Sequence, residues 1–206
     1  MRLPLLPTII VAAAVAMMIW LGLWQLGRAE EKERLLVQYA SAATLPAVDL
    51  DPLLDGDGPR PPLSFRRALV SCHARDVAPE VRTGRSAADA TGQVYLVPCR
   101  PGAPGLAGRL RVNAGWAPRH DAVEQLTLDG LVAGRLGVVE EKGGDPITLT
   151  SATASPPLAP SAPVSIEAIP NNHLLYALQW FFFAAAAAVI YILAVRKRRQ
   201  DLPPEP

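Results

Sequence analysis

Two long apolar segments, one near each end of the sequence, constrain the fold more than any other feature. The first runs from Thr8 to Leu26 and the second from Leu174 to Val195, and neither contains a charged residue. A helix rises about 1.5 Å per residue, so a segment of this length spans about 30 Å, the thickness of the hydrocarbon core of a bilayer. We therefore predict two transmembrane helices, over residues 8–27 and 173–195.

The stretch between the predicted helices, residues 28–172, has the composition of one folded domain. It is about 145 residues long and holds nearly all the acidic residues of the chain. Apolar and polar residues alternate over Gly108–Ala114 and partly over Leu126–Leu136, as expected of half-buried strands. β-branched and aromatic residues favour a further strand over Gln93–Pro98. We predict a membrane α+β protein whose two transmembrane helices flank a small antiparallel β-rich domain.

The first helix is expected to continue beyond the membrane. Apolar residues recur at near-helical spacing through Gln38, mixed with charged residues, and the Leu45-Pro46 pair should end the helix. The apolar run is also longer than that of a cleaved signal peptide and lacks a small-x-small cleavage site. We therefore expect an uncleaved anchor that becomes an amphipathic helix.

Basic residues predict the orientation in the membrane. Arg196, Lys197, Arg198 and Arg199 directly follow the second apolar segment, and such clusters mark the cytoplasmic side. Both ends, residues 1–7 and the basic tail 196–206, are then cytoplasmic, and the central domain is periplasmic. The membrane segment begins almost at once and leaves no room for a mitochondrial presequence. A multi-pass protein of the bacterial inner (cytoplasmic) membrane is the expected localisation.

Several function classes find no support in the residue pattern. The net charge is +1, and no basic face interleaved with aromatic residues favours nucleic acid. The sequence shows no nucleotide-binding glycine loop, nucleophile motif or zinc-ligand spacing, so we do not expect an enzyme. Cys72 and Cys99 both fall in the predicted periplasmic domain, where they form either a disulfide or two free thiols.

A histidine stands at the start of the second apolar segment, where an imidazole is costly unless it has a partner or a function. Pro170 disfavours helix before it, so the helix should begin close to His173. Helical spacing places Tyr176, Ala177 and Trp180 on the face of His173. One reading is a haem site, because imidazole is a common axial ligand of haem iron. The other is an interfacial histidine held by Asn171 or a loop carbonyl.

The end of the first apolar segment also carries polar and aromatic residues. Trp24 and Arg28 are four residues apart and can stack, and Arg28 is suited to pair with a haem propionate. Alternatively, Trp24 belongs to the aromatic belt of the membrane and Arg28 extends its charge to the interface. Gln25 and Gln179 are expected to form a hydrogen bond between the two helices.

Three segments together resemble the SURF1/Shy1 family of haem-copper oxidase assembly factors. Residues 21–28 (LGLWQLGR), followed by Lys32, are similar to a family motif at the end of its first membrane helix. Residues 112–118 (VNAGWAP) resemble a strand-and-turn motif, in which Ala114 replaces the family's arginine. Residues 170–180 (PNNHLLYALQW) resemble the start of the second helix. The order of the motifs and the two anchors match as well, so the resemblance covers essentially the whole chain.

The resemblance implies a function in respiratory-chain assembly. SURF1-like proteins act as chaperones in the biogenesis of cytochrome c oxidase subunit I, with other assembly factors. Bacterial members are proposed to bind haem a, and the family's haem-related histidine corresponds to His173. The resemblance thus implies His173 as the ligand of haem iron, and the residue pattern described above adds Tyr176, Trp180, Trp24 and Arg28 to the expected cofactor site. The alternatives are a cofactor-free scaffold for subunit I and a membrane-anchored thiol protein based on Cys72 and Cys99.

Overall fold

The computed structural model describes residues 5–54, 61–139 and 146–200. These residues fall into two compact units: a helix pair formed by the chain up to Leu36 and from Ile169 onward, and a sheet domain from Val37 to Ala168. Residues 1–4 and 201–206, which belong to the predicted cytoplasmic ends, lie outside the described residues.

The helix pair contains the two longest elements, α1 (Leu5–Thr44) and α4 (His173–Gln200). Both are long and apolar enough to cross a membrane. The expected continuation of α1 through Gln38 is confirmed, and the helix stops just before Leu45-Pro46 because the residue before proline disfavours helical backbone. The predicted start of α4 at His173 is confirmed as well.

The two helices are antiparallel, as three contacts between them show. Near one end, Gln25 of α1 meets His173 of α4. At the other end, the Thr8 hydroxyl forms a hydrogen bond with the Tyr191 hydroxyl. Between them, Phe181 lies so close to Gly22 that a Cβ on this glycine would fall 2.5 Å from the ring. Small and polar residues at the contact face are typical of helices that pair within lipid.

The described part of the sheet domain contains seven strands and two short helices. In chain order they are β1 (Val48–Asp49), α2 (Asp51–Leu54), β2 (Arg67–Val77), β3 (Glu80–Arg85), β4 (Thr91–Pro98), α3 (Gly105–Arg109), β5 (Leu110–Ala117), β6 (Leu126–Leu136) and β7 (Ile147–Ser151).

The strand order in the sheet is β1-β2-β6-β7-β5-β4-β3, and the sheet is mixed. β1 pairs with β2 in parallel and β5 pairs with β7 in parallel, whereas the other pairs are antiparallel. The predicted antiparallel domain is therefore wrong in this respect. One reason is that β7 lies between β6 and β5, which run in opposite directions. A strand in that place must be parallel to one of its neighbours, and β7 is parallel to β5.

A disulfide between Cys72 and Cys99 joins two regions that are distant in the strand order. Cys72 lies in β2 and Cys99 directly follows β4, and three strands separate β2 from β4 in the sheet. The backbone N–H of His73 also donates to the carbonyl of Cys99 at 2.9 Å. The sheet therefore curves until the end of β4 meets β2, and the disulfide closes this contact within the apolar core.

The VNAGWAP motif fixes the segment that leads toward α4. The Asn113 side chain, nearly buried in β5, accepts hydrogen bonds from the Gly115 N–H at 3.2 Å and the Ser161 hydroxyl at 2.9 Å. Gly115 has a φ of +150°, and a Cβ there would lie 2.6 Å from Leu158. Trp116 exchanges two backbone hydrogen bonds with Ala159. The motif thus has a structural role, because its polar and glycine positions anchor residues 158–161.

Candidate functional site

The candidate site is centred on His173, the first residue of α4. Its Nδ1 lies 2.7 Å from Oε1 of Gln25 in α1, and both side chains are half-buried. One turn along α4, Ala177 is completely buried. The partner of His173 is thus an amide on the neighbouring helix, whereas the sequence suggested Asn171 or a loop carbonyl. Gln25 likewise meets His173 and not Gln179, so the predicted Gln25–Gln179 pair is wrong.

Two aromatic side chains follow His173 along α4. Tyr176 is 52% exposed, and Trp180 is half-buried and packs edge-on against Phe183 with ring centroids 6.4 Å apart. Spacings of three and seven residues place both aromatics on the helical face of His173. This face combines one imidazole with accessible ring surface, which is suited to a flat apolar ligand.

Trp24 and Arg28 lie on α1 next to Gln25 in sequence but are more exposed. Trp24 is 50% exposed, and the Arg28 guanidinium forms an ion pair with Glu31 one turn along the same helix. This pair is solvent-exposed on both sides, and exposed pairs contribute little net free energy. Arg28 can therefore exchange Glu31 for another carboxylate at small cost.

The two cysteines contribute no reactive site. Both are bonded to each other and are fully buried, at 0% exposure. Thiol–disulfide exchange requires access of an attacking thiolate to one of the sulfur atoms. The thiol-protein alternative therefore loses its chemical basis.

The other two histidines lie in the sheet domain. His73 is exposed, and its Nδ1 lies 3.5 Å from the Asp129 carboxylate, which also accepts a hydrogen bond from Nε of Arg75 at 2.8 Å. Hydrogen bonds from Arg75 and then His73 hold the pKa of Asp129 below its usual value. His120 is exposed as well. Across residues 5–54, 61–139 and 146–200, no three His, Cys, Asp or Glu side chains cluster as a metal site.

A second polar cluster lies next to the disulfide. The Asp51 carboxylate accepts from the Ser71 N–H at 3.0 Å and from the Arg100 guanidinium at 2.7 Å. Burial raises the pKa of Asp51, but the Ser71 and Arg100 interactions outweigh it, so the pKa lies below its usual value. Because Asp51 begins α2 and Ser71 belongs to β2, this cluster connects two elements of the domain.

The sheet domain also contains a cavity of about 510 Å³. The described residues that line it are mostly apolar and include none of the predicted site residues. They are Gln38, Tyr39, Ser41, Ala42, Leu45, Pro61, Pro62, Leu63, Ser64, Leu106, Arg109, Val139 and Ile147.

Two long apolar helices flanking a mixed seven-stranded sheet define a class compatible with membrane-anchored proteins. The SURF1 family model matches residues 12–185, most of the chain, and the chain belongs to the SURF1 family. SURF1 is a family of assembly factors and not a known enzyme family, so membership implies a role in cytochrome c oxidase assembly. A search of curated proteins found no match.

Sequence reasoning missed Gln25 as the partner of His173. The signal was present, since each family motif at a helix end carries polar residues within an apolar surrounding, Gln25 in the first and His173 in the second. Two helices that cross a membrane in opposite directions bring these two motifs to the same side. The amide oxygen of Gln25 can accept a hydrogen bond and the His173 ring can donate one, so these two residues are suitable partners. The predicted Gln25–Gln179 pair left this possibility aside.

Proposed function

We propose that this protein assists the insertion of haem a into subunit I of a haem-copper (cytochrome c) oxidase. It binds haem a transiently, with His173 as the axial ligand. The observation that carries the proposal is the placement of His173: a half-buried imidazole at the contact between two apolar helices, held through one ring nitrogen by Gln25. An imidazole in that position has a second nitrogen with which to bind iron.

The neighbouring residues fit a haem in three respects. Tyr176 and Trp180 provide aromatic surface on the same helical face for the macrocycle. Arg28, whose present ion pair with Glu31 is exposed, provides a guanidinium that matches a propionate. Trp24, half exposed beside Gln25, adds apolar surface at the end of the helix pair. Haem a is cargo here, and an imidazole nitrogen of His173 would donate its lone pair to the haem iron.

A carrier must also release its cargo. One axial ligand makes release easier than two, because a single bond to iron must be exchanged for a ligand of the acceptor. In the described part of the helix pair, residues 5–36 and 169–200, His173 is the only histidine and no cysteine occurs, so this unit provides no second ligand of either type. A site with one imidazole is therefore compatible with a transient chaperone.

The proposed location is the bacterial inner membrane, with both termini cytoplasmic and the sheet domain periplasmic. The basic residues at the end of α4 support this orientation through the positive-inside rule. A buried disulfide in the sheet domain fits an oxidising compartment. The proposed partners are oxidase subunit I and other assembly factors within the same membrane.

The test is an absorption spectrum of the full chain, purified in detergent from cells that make haem a. We expect a haem-a spectrum that His173→Ala abolishes and that the control His120→Ala retains, since His120 lies exposed in the sheet domain. A haem-a spectrum retained in His173→Ala would mean that a residue other than His173 binds the haem iron. Absence of haem from the wild type, despite available haem a, would contradict the haem proposal.

The exposed apolar surface of the helix pair favours one alternative, a cofactor-free scaffold that stabilises subunit I. Large apolar side chains remain exposed on both helices and could pack against helices of a membrane partner. They include Leu23, Trp24, Leu175, Leu178 and Phe182. This alternative predicts a colourless protein that still co-purifies with subunit I, and His173→Ala should then leave co-purification unchanged.

A further inference from the structure

We propose that Gln25 is a positioning residue that keeps the proton of the His173 imidazole on Nδ1, so that Nε2 presents its lone pair as the metal-binding nitrogen. The inference deepens the proposed function and rests on it for the identity of the metal, the iron of haem a. The juxtaposition of Gln25 and His173 across the helix pair supports it directly.

The chemistry of the two facing atoms fixes the position of the proton. The Oε1 atom of Gln25 can only accept a hydrogen bond, and it lies 2.7 Å from Nδ1 of His173. A neutral imidazole has one N–H, so a hydrogen bond at this distance requires that proton on Nδ1. Nε2 then carries a lone pair and can coordinate a metal.

The position of Gln25 is set by the packing of the helix pair. Gly22, three residues earlier on α1, admits the Phe181 ring to close contact, and the Thr8–Tyr191 hydrogen bond joins the helices at their other end. These contacts hold the two helices together on the same face of α1 that carries Gln25 toward His173. In an apolar surrounding the amide also has few competing partners, which favours a persistent hydrogen bond.

Such an arrangement is how proteins prepare histidine ligands. A metal-binding histidine usually donates its other N–H to a carboxylate, carbonyl or water, which fixes both the tautomer and the ring orientation. Loss of such a partner typically lowers metal affinity by about 10–100-fold. An amide carries no charge, so Gln25 raises the basicity of the imidazole less than a carboxylate would. This property suits a carrier that must release its cargo.

The first test reads the tautomer without any haem. Full-length protein with ¹⁵N-labelled histidine is placed in detergent, and the His173 signals are assigned by comparison with His173→Gln. We expect a protonated Nδ1 and an unprotonated Nε2 in the wild type, a mixture of tautomers in Gln25→Leu, and the wild-type pattern in Gln25→Glu, which retains an acceptor. Gln179→Leu is the matched control, because it removes an exposed glutamine from α4 without touching His173.

The second test titrates the same proteins with haem a and follows the absorption spectrum. Gln25→Leu should bind about 10–100-fold more weakly than the wild type, while Gln25→Glu and Gln179→Leu should retain binding. A His173 tautomer that Gln25→Leu leaves unchanged, or equal haem affinity of Gln25→Leu and wild type, would overturn the inference and leave the proposed function intact. If the tautomer of His173 depends on Gln25 but the wild type binds no haem a, the proposed function is overturned. The positioning of His173 by Gln25 is then still established.

Discussion

The helix pair and the sheet domain are stabilised in opposite ways. The sheet domain buries a continuous apolar core closed by a disulfide, and its Asp51 and Asn113 side chains accept hydrogen bonds from backbone N–H groups. The helix pair leaves most of its large apolar side chains exposed and is joined by a few specific contacts, such as Gln25–His173 and Gly22–Phe181. The difference indicates where substitutions should act: on stability in the sheet domain and on ligand binding in the helix pair.

The largest effect on stability is expected from removing the disulfide. The double variant Cys72→Ala/Cys99→Ala frees a loop with a sequence separation of 27 residues, and loop-closure entropy predicts a loss of about 3–4 kcal/mol. It should lower the free energy of unfolding of the sheet domain, measured by urea denaturation in detergent. The protein that remains folded should still bind haem a through His173. An unchanged midpoint would show that the domain does not depend on the closure between β2 and β4.

A smaller loss is expected for Gly115→Ala. Its φ of +150° disfavours a side chain, and the new Cβ would lie 2.6 Å from Leu158 and 2.9 Å from the Ala159 carbonyl. Overpacking of this kind costs about 1–3 kcal/mol, in addition to the backbone strain. Gly130→Ala is the matched control, because Gly130 also has a positive φ but no atom within 4 Å of the added Cβ.

The comparison of these two glycine variants isolates the contact with the linker. Both should lower the free energy of unfolding through backbone strain, and Gly115→Ala should lower it further. Equal losses in the two variants would show that the VNAGWAP motif does not anchor the segment that leads toward α4.

Sequence patterns predicted the long elements of the molecule well. The apolar runs predicted α1 and α4, because their length and their lack of charged residues are strong signals. The start of α4 close to His173 was predicted from Pro170. The predicted strand over Leu126–Leu136 matches β6, and the other two predicted runs, Gln93–Pro98 and Gly108–Ala114, overlap β4 and β5. These strands are long or alternate clearly between buried and exposed positions.

The short and the edge elements were missed for a physical reason. β1 has two residues and β7 has five, too few for a periodic signal, and β3 is an edge strand rich in polar residues. Because β7 was missed, its parallel pairing with β5 was missed too, and the sheet was predicted as antiparallel. The candidate site was recognised as His173 with its aromatic neighbours, but the Gln25 contact depends on how two helices pack, which no single-helix pattern encodes.

In the helix pair, Gly22→Leu should affect the site while leaving the sheet domain unchanged. The new side chain must displace the Phe181 ring, which lies 2.5 Å from the position of the Cβ. Because a ring can move aside, we expect the helix pair to lose stability at the lower end of about 1–3 kcal/mol. The tautomer signal of His173 should also shift, and haem binding should become weaker. Gly27→Leu is the control on the same helix, since it has nothing within 4 Å. If both variants keep the wild-type His173 signal, the position of Gln25 does not depend on close packing of the helices.

The smallest expected effect concerns pH and acts on the sheet domain alone. Asp51 accepts from Ser71 and Arg100, and its folded-state pKa lies below the unfolded value of 3.8. A carboxyl with a lowered pKa stabilises the fold above its unfolded pKa, and this contribution is lost as the pH falls through the folded-state value. Asp51→Asn should therefore be less stable than the wild type at neutral pH, and the difference should shrink at a pH well below 3.8.

Urea denaturation of both proteins at the two pH values measures this change. Haem binding by the helix pair should be the same for Asp51→Asn and the wild type at neutral pH, because Asp51 belongs to the other unit. A stability difference between the two proteins that stays constant with pH would mean that the Asp51 charge contributes nothing. The carboxylate would then act only as a hydrogen-bond acceptor, a role that the asparagine oxygen can partly fill.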